Sequence, residues 1–392
     1  MSSADQITDV RIYHCTQTMT VSYSTESRNE MDVLVIEIST AKHTGWGEVF
    51  MPRVEPLWRW ARQIAPGLVG ARASELDTLL KQWPADRPKM SLAECGTYCH
   101  PEVDCVGEAV SIALHDLHAR HEGVCFADLL GQVARTEIPG MPSVTLGPIE
   151  SMVAEAEDWC ALGVEHLKLK LCGHPDRDVQ IVQNIRKALG PGTNLQVDAN
   201  GAYETLASAQ PVIAALNEAK IDVIEDLFHI GNEDCVRIAR EQLSGRTMLD
   251  KDCYWPHVKH SLNAGLVDIV NQHPHNQGSM TNALKIAHAA QTAEVENAIG
   301  SSGILGIQNT AFLHLASVTA LTRPCEDIGL HAYFDNPVRS LLQFGSRPTI
   351  LQNPVPMVAG TLTLPEGPGL GIEINREALQ NLTVETYSAS AK

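Results

Sequence analysis

The sequence contains no apolar run that approaches the roughly 20 residues needed to cross a bilayer. Its first residues, MSSADQITDV, lack the basic region and the apolar core of a secretory signal. Low-complexity segments and internal repeats longer than one strand–helix unit are absent as well. These absences predict a cytoplasmic protein, in which the ten scattered cysteines stay reduced.

An excess of positive charge is also missing. The chain has 29 basic and 47 acidic residues, a formal net charge of -18 and an isoelectric point of about 5.3. A nucleic acid or an anionic membrane would require a basic face, so neither is expected as a partner. A small anionic substrate is still allowed, because local lysines and a metal can outweigh the overall charge.

The apolar periodicity divides the 392 residues into two kinds of structure, as expected for a chain too long for one small core. Residues 8–50 are typical of paired strands with a polar loop over residues 17–31, and residues 56–130 are mainly helical. From residue 143 onwards, short apolar runs alternate with amphipathic helix-length segments. About eight such strands predict a closed parallel (β/α)8-type barrel, a modified TIM barrel, beside an α+β capping unit.

The alternation stops near residue 339, which suggests three parts. We predict an α+β capping domain over residues 1–135, the barrel over residues 136–338 and a C-terminal segment over residues 339–392 that returns to the capping domain. In such barrels the carboxyl ends of the strands carry the active site.

Three acidic residues end consecutive predicted strands, namely Asp198, Glu225 and Asp250. Neighbouring strand ends lie about 5 Å apart, so these carboxylates can converge on one ion. Hard oxygen ligands favour Mg²⁺, Mn²⁺ or Ca²⁺ over zinc. The alternative is that each acid caps the helix that follows it, which accounts less well for all three together.

Lys168 and Lys170 are two residues apart on one predicted strand, so they point to the same side. The leucines that flank them suit the helix-facing side, which favours lysines in the barrel interior. There, one lysine beside a divalent ion would have a lowered pKa and could act as a base, while the other binds a carboxylate. The alternative is a pair of lysines whose charged ends reach solvent on the outer face.

Together these motifs resemble the enolase superfamily, and within it the muconate-lactonizing-enzyme-like subgroup. The resemblance covers nearly the whole chain: Lys-x-Lys at 168 and 170, VDANGAY around Asp198, IED at Glu225, MLD at Asp250, and the closing PGLGIEI. It implies that the three carboxylates bind one Mg²⁺, with Mn²⁺ as the alternative, and that the metal holds a substrate carboxylate. It further implies a homo-oligomer, from dimer to octamer.

The same resemblance implies roles for two more positions. Lys170 matches the base that removes the proton α to the substrate carboxylate, and Lys168 matches its helper. Asn200 and Lys251 lie in sequence next to the predicted metal ligands and are expected to support them.

The chain departs from the subgroup at three places. The second base is usually a lysine that ends the sixth strand, where this chain has His273, a residue whose ordinary pKa near 6.5 suits an acid or a base. The alternative for His273 is a structural place in the barrel wall. After Asp250 the subgroup usually has Glu, and here the residue is Lys251. The segment GSSGILGIQ lacks the acidic residue often found after strand seven, so a two-lysine racemase is not favoured.

Substrate contacts are predicted at two further places. Glu326 and Asp327 end the eighth strand, where acidic residues hold a substrate amine in several relatives of the subgroup; a helix cap or a solvated pair is the alternative. Tyr23 belongs to an N-terminal loop that we expect to cover the barrel mouth, and it is a weaker candidate for substrate contact.

These features predict an enzyme, a lyase or an isomerase, that removes the α-proton of a small carboxylate with the help of Mg²⁺. The leading hypothesis is β-elimination of water from an amino-acid-like hydroxy acid such as a hydroxyproline. The alternatives are a racemase or epimerase that uses Lys170 and His273, a cycloisomerase, and a metal-binding homologue without turnover.

Overall fold

The computed structural model describes residues 5–22, 27–51, 54–76, 78–79, 105–251, 253–272, 277–300, 305–326 and 349–391. For residues 19–22 and 27–29 it describes the backbone alone. Three predicted site residues, Tyr23, His273 and Asp327, lie outside these ranges. No described helix combines the length and the apolar character that a membrane span requires.

The strands in chain order are β1 (Asp9–Ser22), β2 (Ser27–Ser39), β3 (Thr44–Phe50), β4 (Glu137–Met141), β5 (Ser143–Val144), β6 (His166–Lys170), β7 (Asn194–Asp198), β8 (Val223–Glu225), β9 (Arg246–Leu249), β10 (Ile269–Gln272), β11 (Glu296–Ile299), β12 (Cys325–Glu326), β13 (Met357–Val358), β14 (Thr361–Thr363) and β15 (Thr383–Ser390).

The helices in chain order are α1 (Val54–Leu68), α2 (Cys105–Glu122), α3 (Phe126–Leu130), α4 (Ile149–Ala161), α5 (Pro175–Leu189), α6 (Leu206–Glu218), α7 (Glu233–Gln242), α8 (Trp255–Ala264), α9 (Met280–Thr292), α10 (Ile307–Val318) and α11 (Arg376–Leu382).

The N-terminal unit is an antiparallel sheet in the order β15-β1-β2-β3, covered by α1 and α2. The prediction of a polar loop over residues 17–31 is wrong, because β1 continues to Ser22 and β2 begins at Ser27. The ladder runs through the polar stretch, and Ser22 pairs with Ser27. Strand pairing is carried by backbone hydrogen bonds, so polar side chains do not by themselves end a hairpin.

A close approach between β3 and α2 holds this unit together. A Cβ atom on Gly47 would lie 1.8 Å from the carbonyl oxygen of Ala109. Only glycine allows the backbones of strand and helix to meet at that distance, since any side chain would force them apart.

The second unit is the predicted barrel. Strands β5 to β11 form one parallel sheet in chain order, and β4, which runs directly into β5, pairs in parallel with β12. Between β11 and β12, the Thr322 amide donates to the carbonyl of Asn297 at 3.0 Å. Eight strand positions therefore close on themselves, with helices between successive strands, which confirms the modified TIM barrel and separate capping sheet.

The C-terminal residues contact both units. Strand β14 pairs with β4 of the barrel, and β15 pairs with β1 of the capping sheet. The domain boundaries drawn from the sequence at residues 135 and 338 stay predictions.

Val223, Met248, Ile269 and Ala298 of the barrel strands form a small apolar cluster of their own. Charged residues lie at the carboxyl ends of the strands, because interior positions recur at every second residue of a strand.

Candidate active site

The parallel register places a row of charged residues at one end of the barrel. Lys170 pairs with Asp198 across β6 and β7, and Asp198 pairs with Glu225 across β7 and β8. Paired residues of neighbouring parallel strands point to the same face. Both predicted lysines therefore face the interior, together with the predicted carboxylates.

Lys168 lies among three carboxylates from three different strands. Its Nζ atom is 2.7 Å from Glu225 Oε2, 2.6 Å from Glu326 Oε2 and 3.3 Å from Asp198 Oδ2. Burial on its own would lower the pKa of Lys168, but Glu225, Glu326 and Asp198 outweigh it and raise that pKa well above the ordinary value. Lys168 is therefore a fixed ammonium group.

Lys170 forms an ion pair with Asp198, and its Nζ atom lies 2.5 Å from Asp198 Oδ2. Asp198 also accepts from the amide of Asn200 at 2.8 Å and from Asn200 Nδ2 at 3.0 Å. Burial would raise the pKa of Asp198, yet Lys170 and Lys168 hold it below the ordinary value. Asp198 is thus ionised and oriented by its neighbours.

Glu225 and Glu326 share a hydrogen-bond donor, Gln196. Gln196 Nε2 donates to Glu225 Oε2 at 2.5 Å and to Glu326 Oε1 at 2.6 Å. Burial, followed by repulsion from Asp198 and Glu326, raises the pKa of Glu225 well above its ordinary value. The sequence pattern does not single out Gln196; its place two residues before Asp198 on the same strand is the signal that would put it in the interior.

Glu326 is 1% exposed, and its two oxygens are occupied by Lys168 and Gln196 inside the barrel. That geometry differs from the predicted contact with a substrate amine. The sequence shows that Glu326 ends β12. It does not show that the side chain of Glu326 is buried and bound to Lys168.

Asp250 is held from two sides. Asn271 Nδ2 donates to Asp250 Oδ1 at 2.9 Å, and the Asp250 amide donates to Asp226 Oδ1 at 3.2 Å. Burial, and then repulsion from Asp250 and Asp198, raises the pKa of Asp226 well above its ordinary value. Asn271 is another functional candidate that the sequence pattern does not reveal, because an asparagine within an apolar strand has no distinctive spacing.

Three buried carboxylates lie close enough to share one ion: an oxygen from each of Glu225, Asp250 and Glu326 lies within 4.8 Å of the other two. This set overlaps the predicted one at Glu225 and Asp250, and it contains Glu326 where the prediction has Asp198. All donors are carboxylate oxygens, which suit a hard divalent cation. Lys251 lies beside this group, with its Nζ atom 3.1 Å from the carbonyl oxygen of Asn200.

Residues 151–378, more than half of the chain, match the family model described as enolase C-terminal domain-like. The o-succinylbenzoate synthase of Bacillus subtilis is 24% identical over 393 residues, which cover 96% of each chain. The L-Lys-D/L-Arg epimerase of Methylococcus capsulatus is 27% identical over 368 residues, covering 93% of this chain and 97% of the relative.

The crystal structure of N-succinyl Arg/Lys racemase from Bacillus cereus has a TM-score of 0.84 at 20% identity, and the match covers 98% of this chain and 100% of that one. The chain therefore belongs to the enolase C-terminal domain-like family. It is an enzyme of the enolase superfamily, from its muconate-lactonizing-enzyme-like subgroup, in the class of lyases and isomerases.

Proposed function

We propose that this protein removes the proton α to the carboxylate of a small substrate and then eliminates water from the β position. The observation that carries the proposal is the arrangement of Lys168 and Lys170 on one strand, in register with Asp198 and Glu225 at the carboxyl end of the barrel. A base and a group of metal-binding carboxylates side by side is what enolate chemistry requires.

We propose that Asp198, Glu225 and Asp250 hold one Mg²⁺, with Mn²⁺ as the alternative. Among the described residues, five buried carboxylates lie close to three lysines, Lys168, Lys170 and Lys251, and a divalent ion here would favour the ionised form of the acids. Two side-chain oxygens beside the group, Asn200 Oδ1 and Asn271 Oδ1, are buried and have no hydrogen-bond partner among the residues that the structure describes. When bound, the ion supplies positive charge that stabilises an enediolate on the substrate carboxylate.

Lys170 is the proposed base. The amine of Lys168 contacts three carboxylates and has a raised pKa, and within the described part of the chain the ion pair of Lys170 is with Asp198. A proton acceptor must lose its own proton, which the surroundings of Lys168 oppose. Lys168 accordingly serves as the fixed positive charge that holds the acidic residues together and favours a substrate carboxylate.

Elimination is proposed over racemisation because the sequence has His273 where the subgroup usually has a second lysine. Both interior lysines of the described strands come from β6, while β10 and β11 bring Asn271 and Ala298 to the interior. Elimination requires a base on one face only, and His273 is proposed to protonate the departing hydroxide. The relatives named as an epimerase and a racemase keep the epimerase reading as the second candidate.

The proposed substrate is an amino-acid-like hydroxy acid such as a hydroxyproline. Because both oxygens of Glu326 are occupied within the barrel, we assign the substrate amine to Asp327 and leave Glu326 with Lys168. Tyr23 remains proposed as a further substrate contact.

The test is a screen of hydroxyprolines, amino acids, their betaines and acid sugars with Mg²⁺ in deuterated water. A keto or imino product, with no deuterium in a recovered second stereoisomer, is the expected result. Deuterium in recovered substrate of both configurations would instead identify a racemase or epimerase. A chain that binds the metal but exchanges no α-proton on any compound would contradict both.

A further inference from the structure

Lys251 joins the ends of three neighbouring barrel strands. It follows β9 and Asp250, and its backbone amide donates to Asp226 Oδ2 at 2.6 Å, next to the end of β8. Its side chain reaches across to the end of β7, where Nζ donates to the carbonyl oxygen of Asn200 at 3.1 Å. One residue therefore connects the turns that follow all three proposed metal ligands.

Two of these turns contain residues in an uncommon backbone conformation. Asn200 has φ of 49° and Asp226 has φ of 41°, in the left-handed region. Asn and Asp are the non-glycine residues that adopt this region most readily, and hydrogen bonds from neighbouring residues hold both of them there. The Gly201 amide donates to the Asp226 carbonyl oxygen at 2.6 Å, which ties the two turns to each other.

The turn at Asn200 presents both of its donors to one metal ligand. Its amide and its Nδ2 atom bind the two oxygens of Asp198, at 2.8 and 3.0 Å. The position of the Asp198 carboxylate thus depends on the turn, and the carbonyl of the turn is held by Lys251. Residues that orient metal ligands typically change metal affinity 10- to 100-fold when they are replaced.

Charge repulsion alone would change the affinity in the opposite direction. Lys251 is a cation next to a site for another cation, so its removal should strengthen binding of a divalent ion. The sign of the change therefore distinguishes a residue that positions the site from one that merely lies near it.

We propose that Lys251 is a positioning residue for the divalent-cation site and that its ammonium group holds the Asn200 turn against Asp198. The inference rests on the proposed function only in requiring that the site binds a divalent cation. It requires nothing about the substrate or the reaction.

The experiment measures Mn²⁺ binding to the full-length protein by electron paramagnetic resonance of the free ion. In Lys251→Met the dissociation constant should rise about 10-fold or more, despite the loss of a repelling charge. Lys259→Met is the matched control, because it removes the same charge from an exposed position on α8 and should stay within about 2-fold of the wild type. Lys251 is partly exposed, and melting temperatures of both variants establish that they are folded.

Lys251→Arg supplies the second comparison, since a guanidinium group can still donate to the Asn200 carbonyl. The dissociation constant of Lys251→Arg for Mn²⁺ should be at least 3-fold lower than that of Lys251→Met. Unchanged or tighter Mn²⁺ binding in Lys251→Met overturns the inference. Equal weakening of Mn²⁺ binding in Lys251→Met and Lys259→Met overturns it as well. Failure of the wild type itself to bind Mn²⁺ or Mg²⁺ would instead contradict the proposed metal site.

Discussion

The two lysines on β6 differ in how many of the described carboxylates surround them, and that difference supports the roles proposed for them. The Lys168 amine lies within 3.3 Å of three carboxylates, whereas Lys170 forms its ion pair with Asp198. More negative neighbours stabilise the protonated amine more strongly. The residue with fewer negative neighbours is the better base, although the spacing of the two lysines in the sequence is compatible with either assignment.

The first prediction follows from this assignment. Lys170→Met should lower the rate of α-proton exchange by several orders of magnitude, because it removes the group that accepts the proton. Binding of Mn²⁺ should remain, since the carboxylates are intact. The measurement is deuterium incorporation into substrate, followed by mass spectrometry. Exchange at close to the wild-type rate would show that another residue is the base.

Two variants can decide whether the third metal ligand, beside Glu225 and Asp250, is Asp198 or Glu326. The carboxylate cluster in the structure contains Glu326, and the family resemblance points to Asp198. Asp198→Asn should weaken Mg²⁺ binding by at least 100-fold, because it removes an anionic ligand. Glu326→Gln should weaken it by less than 10-fold, because Glu326 is not one of the three proposed ligands and an amide oxygen can still accept from Gln196. Titration calorimetry measures both, and the reverse order would transfer the ligand role to Glu326.

His273 gives a prediction about the second half of the reaction. In an elimination with Lys170 as the sole base, His273→Asn should slow product formation at least 10-fold and leave α-proton exchange measurable, because the enediolate still forms. Exchange and product formation are followed in the same sample. Exchange confined to one enantiomer would favour the epimerase, and a change of less than a few-fold in both rates would remove His273 from the mechanism.

At the scale of elements, the barrel follows from periodicity, while the inner contacts of the site do not. The alternation of Lys168 and Lys170 with leucines predicts which side of β6 faces inward, and the structure agrees. Gln196 and Asn271 escape prediction because their significance lies in contacts with Glu225 and Asp250 on other strands. Sequence spacing reports the face of a strand, but it carries no information about partners across a closed barrel.

The contact between the capping sheet and helix α10 depends on one buried acid. Glu48 on β3 is fully buried, and its Oε1 and Oε2 atoms accept from the amides of Leu305 and Gln308, at 2.5 and 2.9 Å. Gln308 Nε2 in turn donates to Glu108 on α2 at 2.9 Å. Burial raises the pKa of Glu48 to about 7 and that of Glu108 well above its ordinary value.

A pH dependence of stability follows from Glu48. Because its pKa is higher in the folded state than in the unfolded chain, the folded state retains a proton that unfolding releases. Stability should therefore fall as the pH rises from about 4.5 through 7, by an amount on the order of 3 kcal/mol. Glu48→Gln should lower the melting temperature at pH 5, through a lost acceptor, and flatten the decline between pH 5 and 8.

Calorimetric melting across that pH range measures the effect. Glu122→Gln is the matched control, because it makes the same change at an exposed position of α2 and should keep the wild-type slope. An unchanged slope in Glu48→Gln would mean that Glu48 is ionised throughout.

At the scale of the whole molecule, the net negative charge and the buried acidic site both favour the binding of cations. With a formal charge of -18, the negative groups of the chain repel one another. Some of these groups are the carboxylates at the barrel end, which lysines and amides hold together. Any cation relieves the general repulsion by screening, whereas a specific site responds to a divalent ion at low concentration. Assembly into a homo-oligomer also stays a prediction, which sedimentation velocity can measure.

The last prediction separates these two effects of cations. Mg²⁺ that binds the folded state alone stabilises it by about 2.7 kcal/mol at a concentration 100 times the dissociation constant. The melting temperature of the wild type should therefore rise with Mg²⁺ and exceed that in NaCl of matched ionic strength. In Asp198→Asn the two salts should act alike, because only screening remains. Equal melting temperatures of the wild type in both salts would show that the barrel end binds no divalent ion specifically. An ion that binds tightly to the folded state alone must raise the stability of that state.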